Sequence, residues 1–230
     1  TQLTDELQDI GLEIHFEDNI SLIPADFYVE NTLVIVTPAV PVSHSEWNYF
    51  IERGFTIKKR AEVLGIITKD TYCFAVAGTH GKTTTTAMIT WLLSELNQQL
   101  SHSIGTNISF GPSAQYQPGA KYFIYECDEF DRNFLNFRPE LSVIASVDYD
   151  HPDTYPTINS YKQAFVDFIG QSKHTLLWNQ SASYLQIPAS DSVTIFNESD
   201  TATDEIVLPG EHMRRNAWLA AQAVSEIMPE

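Results

Sequence analysis

Basic residues are scarce in this chain. Thirteen Lys and Arg stand against 30 Asp and Glu, a formal net charge of −17. A surface that acidic repels nucleic acid and anionic lipid, so neither is expected as a partner. Nor can it hold a polyphosphate by its general field. Such a ligand would need locally placed cations, a helix N-terminus and a divalent metal. Cysteine is nearly absent: Cys73 and Cys127 sit in apolar, strand-like runs, with nothing to pair them with each other or with a metal. Both read as buried reduced thiols. No apolar run approaches the ~20 residues of a membrane helix. The opening Thr-Gln-Leu-Thr-Asp-Glu lacks a basic region followed by an apolar stretch, so no export signal is visible and a cytoplasmic location is expected. Thr1 is not an initiator methionine, which leaves the natural start open. What is present, 43% hydrophobic and 19% charged residues over 230 positions, describes a soluble globular chain of one or two domains.

The pattern along the chain is α/β alternation. Leu3, Leu7 and Ile10 fall on one face of an opening helix that Gly11 closes. Leu33-Val34-Ile35-Val36 is a β-branched run that predicts a buried parallel strand. Thr37, Pro38, Ala39 and Val40 form the loop at its carboxyl end, where open α/β sheets bind ligands. A helix over about 43–53, a strand over 55–58 and a helix over 61–67 follow. This alternation starts mid-pattern, without an opening strand and Gly-rich turn, and predicts a truncated Rossmann-like domain over 1–68. A second α/β unit, 69–230, is expected to hold strands at 72–77, 122–126, 141–147 and 175–178. Its helices are placed at 83–96, 160–169 and from Gly210 to 227. Residues 181–205 are polar and weakly patterned.

The strongest local signal is Ala77-Gly78-Thr79-His80-Gly81-Lys82-Thr83-Thr84-Thr85-Thr86. Gly-Lys-Thr after a strand and opening a helix is the context of a phosphate-binding loop. Glycine lets backbone N–H groups approach phosphate oxygens. Lys82 is placed to reach terminal phosphates and the Thr83 hydroxyl to ligate Mg²⁺. Gly78 lies three residues before Gly81 rather than the five of the common motif, so the run is either a distinct subclass of phosphate loop or a chance Gly-Lys-Thr. Thr85 and Thr86 read as helix caps.

Two strands end in acid. Glu126-Cys127-Asp128-Glu129-Phe130-Asp131 supplies four carboxylates, of which Glu126, ending its strand, is best placed to face a Mg²⁺ opposite the phosphate loop. Asp148-Tyr149-Asp150-His151-Pro152-Asp153 puts His151 beside two Asp, suiting a second metal or an active-site hydrogen bond. His15, His44, His102 and His174 read as local polar contacts.

Gly78-Thr79-His80-Gly81-Lys82-Thr83-Thr84 resembles the ATP-binding loop of the Mur ligases, the ATP-dependent amide ligases of bacterial cell-wall synthesis. The His80 variant resembles the branch that joins L-alanine to UDP-N-acetylmuramate and the related murein tripeptide ligases. Glu126 to Asp131, with Phe134-Leu135 and Arg138-Pro139, resembles that branch's Glu-Ala-Asp-Glu stretch. Asp148 to His151 resembles its Glu-x-Asp-His motif, and Gly210-Glu211-His212 with Asn216-Ala217 its adenine-contacting motif. Arg60-Ala61-Glu62 before a helix also fits. The resemblance spans essentially the whole chain.

It implies an amide ligase using ATP and Mg²⁺. Gly78 to Thr84 would cradle the phosphates, with Lys82 on the γ-phosphate. Thr83 and Glu126 would hold one metal ion and His151 a second. His212 and Asn216 would meet the base, and Thr37–Val40 would lie near the UDP end of the sugar nucleotide. Ser146 and Met213 stand where the family has Asn, Cys127 where it has Ala, and the 178–210 stretch is shorter. The uridine-binding turn and the amino-acid-binding C-terminal domain are missing from the pattern, so the piece is expected to bind nucleotide without ligating. A tripeptide-recycling ligase and a non-catalytic ATP-binding module remain the alternatives.

Overall fold

A computed structural model describes every residue except Thr1, Pro38, Glu198, Asp200, Thr201, Pro229 and Glu230. The chain divides into two compact units, Thr1–Val63 and Leu64–Glu230, a division a few residues ahead of the expected 68/69.

In the first unit, α1 (Gln2–Asp9) ends before Gly11, whose φ of +88° suits only glycine without strain. The expected apolar face does not carry through: Ile10 lies beyond the helix and is 75% exposed, and the Leu3 side chain is outside the described set. β1 (Leu33–Val36) and β2 (Thr56–Lys59) pair in parallel, Leu33 opposite Thr56, with α2 (Ser45–Glu52) between them in sequence. The parallel strand is therefore present but not buried. Within this two-stranded sheet Leu33 and Ile35 remain 46% and 53% exposed. Asp18 fastens the start of α2, accepting from the Ser45 amide at 2.8 Å and the Ser45 hydroxyl at 2.6 Å. Those bonds hold its carboxyl below the usual range. Phe55 is buried, edge-on to Phe50 with centroids 5.0 Å apart. α3 (Arg60–Ile67) straddles the division between the units.

The second unit is built on a seven-stranded sheet of β3 (Tyr72–Ala77), β4 (Leu100–Ser103), β5 (Ala114–Gln115), β6 (Tyr122–Glu126), β7 (Leu141–Ile144), β8 (His174–Trp178) and β9 (Val193–Phe196). The order is β5-β4-β6-β3-β7-β8-β9, and every pairing is parallel except β4 with β5. Its helices are α4 (Lys82–Glu95), α5 (Ile158–Gly170), α6 (Asn179–Leu185) and α7 (Glu211–Ser225). β3 is central and covered on both faces, which explains its unbroken run of buried Cys73 to Ala77. Successive residues of a strand point to opposite faces. Phe74, Val76, Ile124, Val143 and Leu176 pack with Ile89 and Leu93 of α4 and with Leu219, Ala220 and Ala223 of α7. On β6 the alternate residue Tyr125 stacks on Phe137, and the nearby Phe134 packs against Phe165 and Phe168 of α5. α5 starts in a reciprocal cap in which Thr157 Oγ1 accepts from the Ser160 amide and Ser160 Oγ from the Thr157 amide.

Four elements of this unit escape the hydrophobic pattern. β4 is Leu-Ser-His-Ser, yet all four residues are buried. The neighbouring segment partners them: Ser101 Oγ accepts from the Gln117 amide at 2.9 Å, and His102 Nε2 lies 2.9 Å from the Pro112 carbonyl, while His102 Nδ1 is buried without a hydrogen-bond partner. β5 is only two residues long. The stretch read as weakly patterned contains α6 and β9, and β9 is joined to β8 by a contact between Thr194 and His174 Nε2. Asp200 and Thr201 of that stretch lie outside the described residues. β7 is shorter than expected, and 145–151 is loop.

Candidate functional site

Because β3, β6 and β7 are parallel and in register, Val76 opposite Glu126 and Ala77 opposite Ile144, they deliver their carboxyl ends to one edge of the sheet. The three motifs of the second unit are thereby gathered. Gly78 and Gly81 have φ of +133° and +84°. A Cβ at Gly78 would stand 2.6 Å from the Ser146 carbonyl, and one at Gly81 would stand 2.8 Å from Asn216 Oδ1. The loop between them is docked onto the β7 end. The Thr79 amide donates to the Ser146 carbonyl at 3.0 Å, the His80 amide to Ser146 Oγ at 2.9 Å, and Ser146 Oγ to the His80 carbonyl at 3.1 Å. Gly81 caps α4 without a side chain, which leaves the first-turn amides for a ligand at the positive end of a 14-residue helix.

Lys82 Nζ donates to the Gly78 carbonyl at 2.6 Å and to Glu129 Oε2 at 3.0 Å. Glu129 is fully buried, and burial raises its carboxyl above the usual range against the opposing pull of Lys82. The Thr83 hydroxyl donates to Glu126 Oε1 at 2.7 Å, and Glu126 Oε2 accepts from the Gly105 amide at 2.6 Å. The two groups expected to share a metal are thus in contact. His151 adopts a left-handed φ of +55°, uncommon outside glycine. Its Nε2 is 3.6 Å from Glu129 Oε1, and Asp128, Glu129 and His151 each offer a ligand atom within 4.8 Å of the others. Hard oxygen donors at Thr83 and Glu126, and a carboxylate–imidazole set around His151, both fit a divalent cation.

Beside the loop opens a cavity of about 470 Å³ whose lining includes His80, Gly81, Ser146, Asp148, His212 and Asn216, together with Gln180, Ser181 and Arg215. A second, more open cavity of about 540 Å³ runs along α4 from Thr83 and Thr84 to Trp91 and Phe110. Thr85 and Thr86 are not caps, since both are buried inside α4. Thr86 Oγ1 donates one turn back to the Lys82 carbonyl at 2.8 Å. Thr37, Ala39 and Val40 are exposed in the first unit, where the Val40 amide closes a turn on the Thr37 carbonyl; Pro38 lies outside the described residues.

Sequence reasoning passed over Glu129, Gly105, Arg215 and the α6 residues Gln180 and Ser181. Glu129 was visible among four carboxylates, but only the fold shows which one turns inward. The other four carry no local signal.

A mainly parallel α/β sheet thus carries a Gly-Lys-Thr loop after its central strand and acidic residues at the two flanking strand ends. The Mur ligase middle domain matches residues 76–195, and the chain belongs to that family. It is 52% identical over 168 residues to a UDP-N-acetylmuramate–L-alanine ligase of Flavobacterium johnsoniae, covering 73% of this chain and 37% of that protein. A ligase of the same name from Cytophaga hutchinsonii is 34% identical over 86% of this chain and 44% of its own. The chain thus spans well under half the length of these curated relatives. Its fold is that of the UDP-N-acetylmuramate–alanine ligase of Thermotoga maritima, with a TM-score of 0.78 at 24% identity over 98% of this chain and 57% of that one. A murein peptide ligase of Psychrobacter arcticus gives a TM-score of 0.74 at 19% identity over 99% and 58%.

Proposed function

We propose that this chain is the ATP-handling part of an amide ligase that joins L-alanine to UDP-N-acetylmuramate. The observation that carries the reading is the meeting, at one sheet edge, of the capless α4 N-terminus, Lys82, the Thr83–Glu126 pair and the His151 cluster. The unit 64–230 is the ATP-binding domain. The unit 1–63 serves the UDP end of the acceptor, with Thr37 to Val40 as contacts. The 470 Å³ cavity, with His212 and Asn216 on its wall, takes the base. The closeness of an Asn216 amide to Gly81 explains why glycine stands there. A cytoplasmic location goes with this chemistry.

The reaction has two steps. A carboxylate oxygen of the acceptor attacks the γ-phosphorus of ATP, and the bond to the β,γ-bridging oxygen breaks to release ADP. The amine of alanine then adds to the acyl carbon, pushing the carbonyl pair onto oxygen; the nitrogen gives its proton to water, the carbonyl re-forms, and phosphate leaves with the electron pair of the broken acyl C–O bond. A free carboxylate is a poor acyl donor, and splitting the reaction through an acyl phosphate replaces one hard step by two easier ones. Lys82, released from Glu129, neutralises charge on the moving phosphoryl group. Thr83 and Glu126 would hold one Mg²⁺ and His151 with Asp128 and Glu129 a second. The metal supplies Lewis-acid charge neutralisation there.

Calorimetric titration with ATP, with and without Mg²⁺, tests the nucleotide half: binding is expected to require the metal, and its absence would overturn the reading. Phosphate release is then followed with UDP-N-acetylmuramate plus L-alanine, and with the murein tripeptide in place of alanine. Release that needs alanine supports this acceptor pair. Release that needs the tripeptide moves the assignment to the recycling ligases. Identities of 34–52% to alanine ligases favour the first outcome.

A further inference from the structure

Three tyrosines, none of them in the expected site, cross-brace the segments that carry the ligating groups. Tyr161 of α5 is fully buried, and its hydroxyl lies 2.8 Å from Thr79 Oγ1 in the phosphate loop. That threonine oxygen also donates to the Asp148 carbonyl at 2.7 Å and accepts from the Asp148 amide at 2.8 Å. A hydroxyl has one proton and two lone pairs. Its proton goes to Asp148, so Tyr161 must be the donor, and burial keeps Tyr161 protonated by raising its pKa. Asp148 lies three residues before His151 on the same loop. Tyr155 extends the brace: its hydroxyl donates to the Glu129 carbonyl at 2.5 Å, and its own carbonyl accepts from Tyr149 at 2.8 Å. The three rings meet edge-on, Tyr161 with Tyr155 at 5.1 Å and with Tyr149 at 5.8 Å.

We propose that Tyr161 is a positioning residue: from α5 it anchors Thr79, the residue that ties the phosphate loop to Asp148 in the loop that carries His151, and so steadies the separation of Lys82 and Thr83 from the His151 cluster. It touches no substrate. A metal–nucleotide complex bridging both loops binds only when they stand at the right distance, so the proposal rests on the nucleotide-site reading above. Without the anchor the loops sample other separations, and affinity falls with the population of the competent one. The surrounding aromatic packing is left intact by Tyr161→Phe, which removes only the donor.

The test uses Tyr161→Phe, Thr79→Val and the double variant. In the ligand-free protein, hydrogen exchange of segments 77–83 and 145–151 is expected to quicken in Tyr161→Phe, with β3 and β6 unchanged. Mg²⁺–ATP affinity, measured by calorimetry well below the unfolding temperature, is expected to weaken roughly fivefold, the worth of one net hydrogen bond. In the Thr79→Val background Tyr161→Phe should add nothing. Unchanged exchange, unchanged affinity with only a lowered thermal midpoint, or additive effects in the double variant would each overturn the positioning role. Wild-type protein that binds no Mg²⁺–ATP would sink the nucleotide reading and this role with it. Wild-type binding with an unaffected Tyr161→Phe sinks the role alone.

Discussion

Replacing Gly78 by alanine separates the phosphate loop from the sheet that supports it. The added Cβ would lie 2.6 Å from the Ser146 carbonyl oxygen and 2.9 Å from the Ser146 amide nitrogen, at a backbone φ of +133°. Both obstacles are main chain, in a segment tied to β3 by the Ala145 amide's bond to the Ala77 carbonyl, and cannot swing aside as a side chain would. Holding an alanine at such a φ costs of order 1–3 kcal/mol even before the clash. The cheaper escape is for the loop to lift. That forfeits the Thr79 amide bond to Ser146 and both bonds between His80 and Ser146. At about 1 kcal/mol net for each, lifting costs roughly 3 kcal/mol, so the loop lifts only where strain and main-chain clash together exceed that. On the proposed nucleotide-site reading the docked loop is the binding form, and the excess should weaken Mg²⁺–ATP affinity at least about tenfold by calorimetry. Gly119→Ala is the control. Its φ is +77°, but a Cβ there meets nothing within 4 Å. It should cost ~1–2 kcal/mol in urea unfolding and leave nucleotide affinity alone. Affinity of Gly78→Ala within about threefold of wild type, or an equal loss in Gly119→Ala, would refute the account of the loop as a rigid cradle.

Lys82→Ala should abolish Mg²⁺–ATP binding and also destabilise the ligand-free fold, by up to roughly 3 kcal/mol near pH 8, because it strands buried Glu129. Burial already raises the Glu129 carboxyl, and losing the cation raises it further. A group with a raised folded-state pKa contributes stability at low pH that is lost as pH rises through that value. The gap in thermal midpoint between variant and wild type should therefore widen from pH 5 to pH 8, and a flat gap would contradict it. Glu126→Gln keeps the shape opposite Thr83 and removes the charge. Its Mg²⁺ requirement for ATP binding, read from titrations at several metal concentrations, should weaken at least about tenfold, and an unaltered requirement would return Glu126 to a purely structural role. Cys73 and Cys127 are buried with raised pKa, Cys73 to about 12. Ellman's reagent at pH 8 should find neither thiol until the protein is unfolded.

Some of this was determined by the chain alone. β3 is legible because a central strand covered on both faces must be apolar throughout, and Tyr72–Ala77 is. The Gly78–Thr84 loop is legible because its pattern is local: two glycines, a lysine and a threonine fall within a few residues of backbone. The acidic ends at Glu126 and His151 are legible for the same reason. Tertiary structure alone decided which groups face each other. β4 and β9 are short and partly polar, and they become strands beside neighbours that bond Ser101, His102 Nε2 and Thr194. Of the four carboxylates at and after the end of β6, the chain favours Glu126 by position. It cannot show that Glu129 turns inward to Lys82, a contact between residues 47 positions apart. The Thr79–Tyr161 bond joins residues 82 positions apart. No periodicity or motif encodes a contact at that separation. It exists because the sheet places the phosphate loop beside the β7 end, and α5 packs where its tyrosine can reach them both.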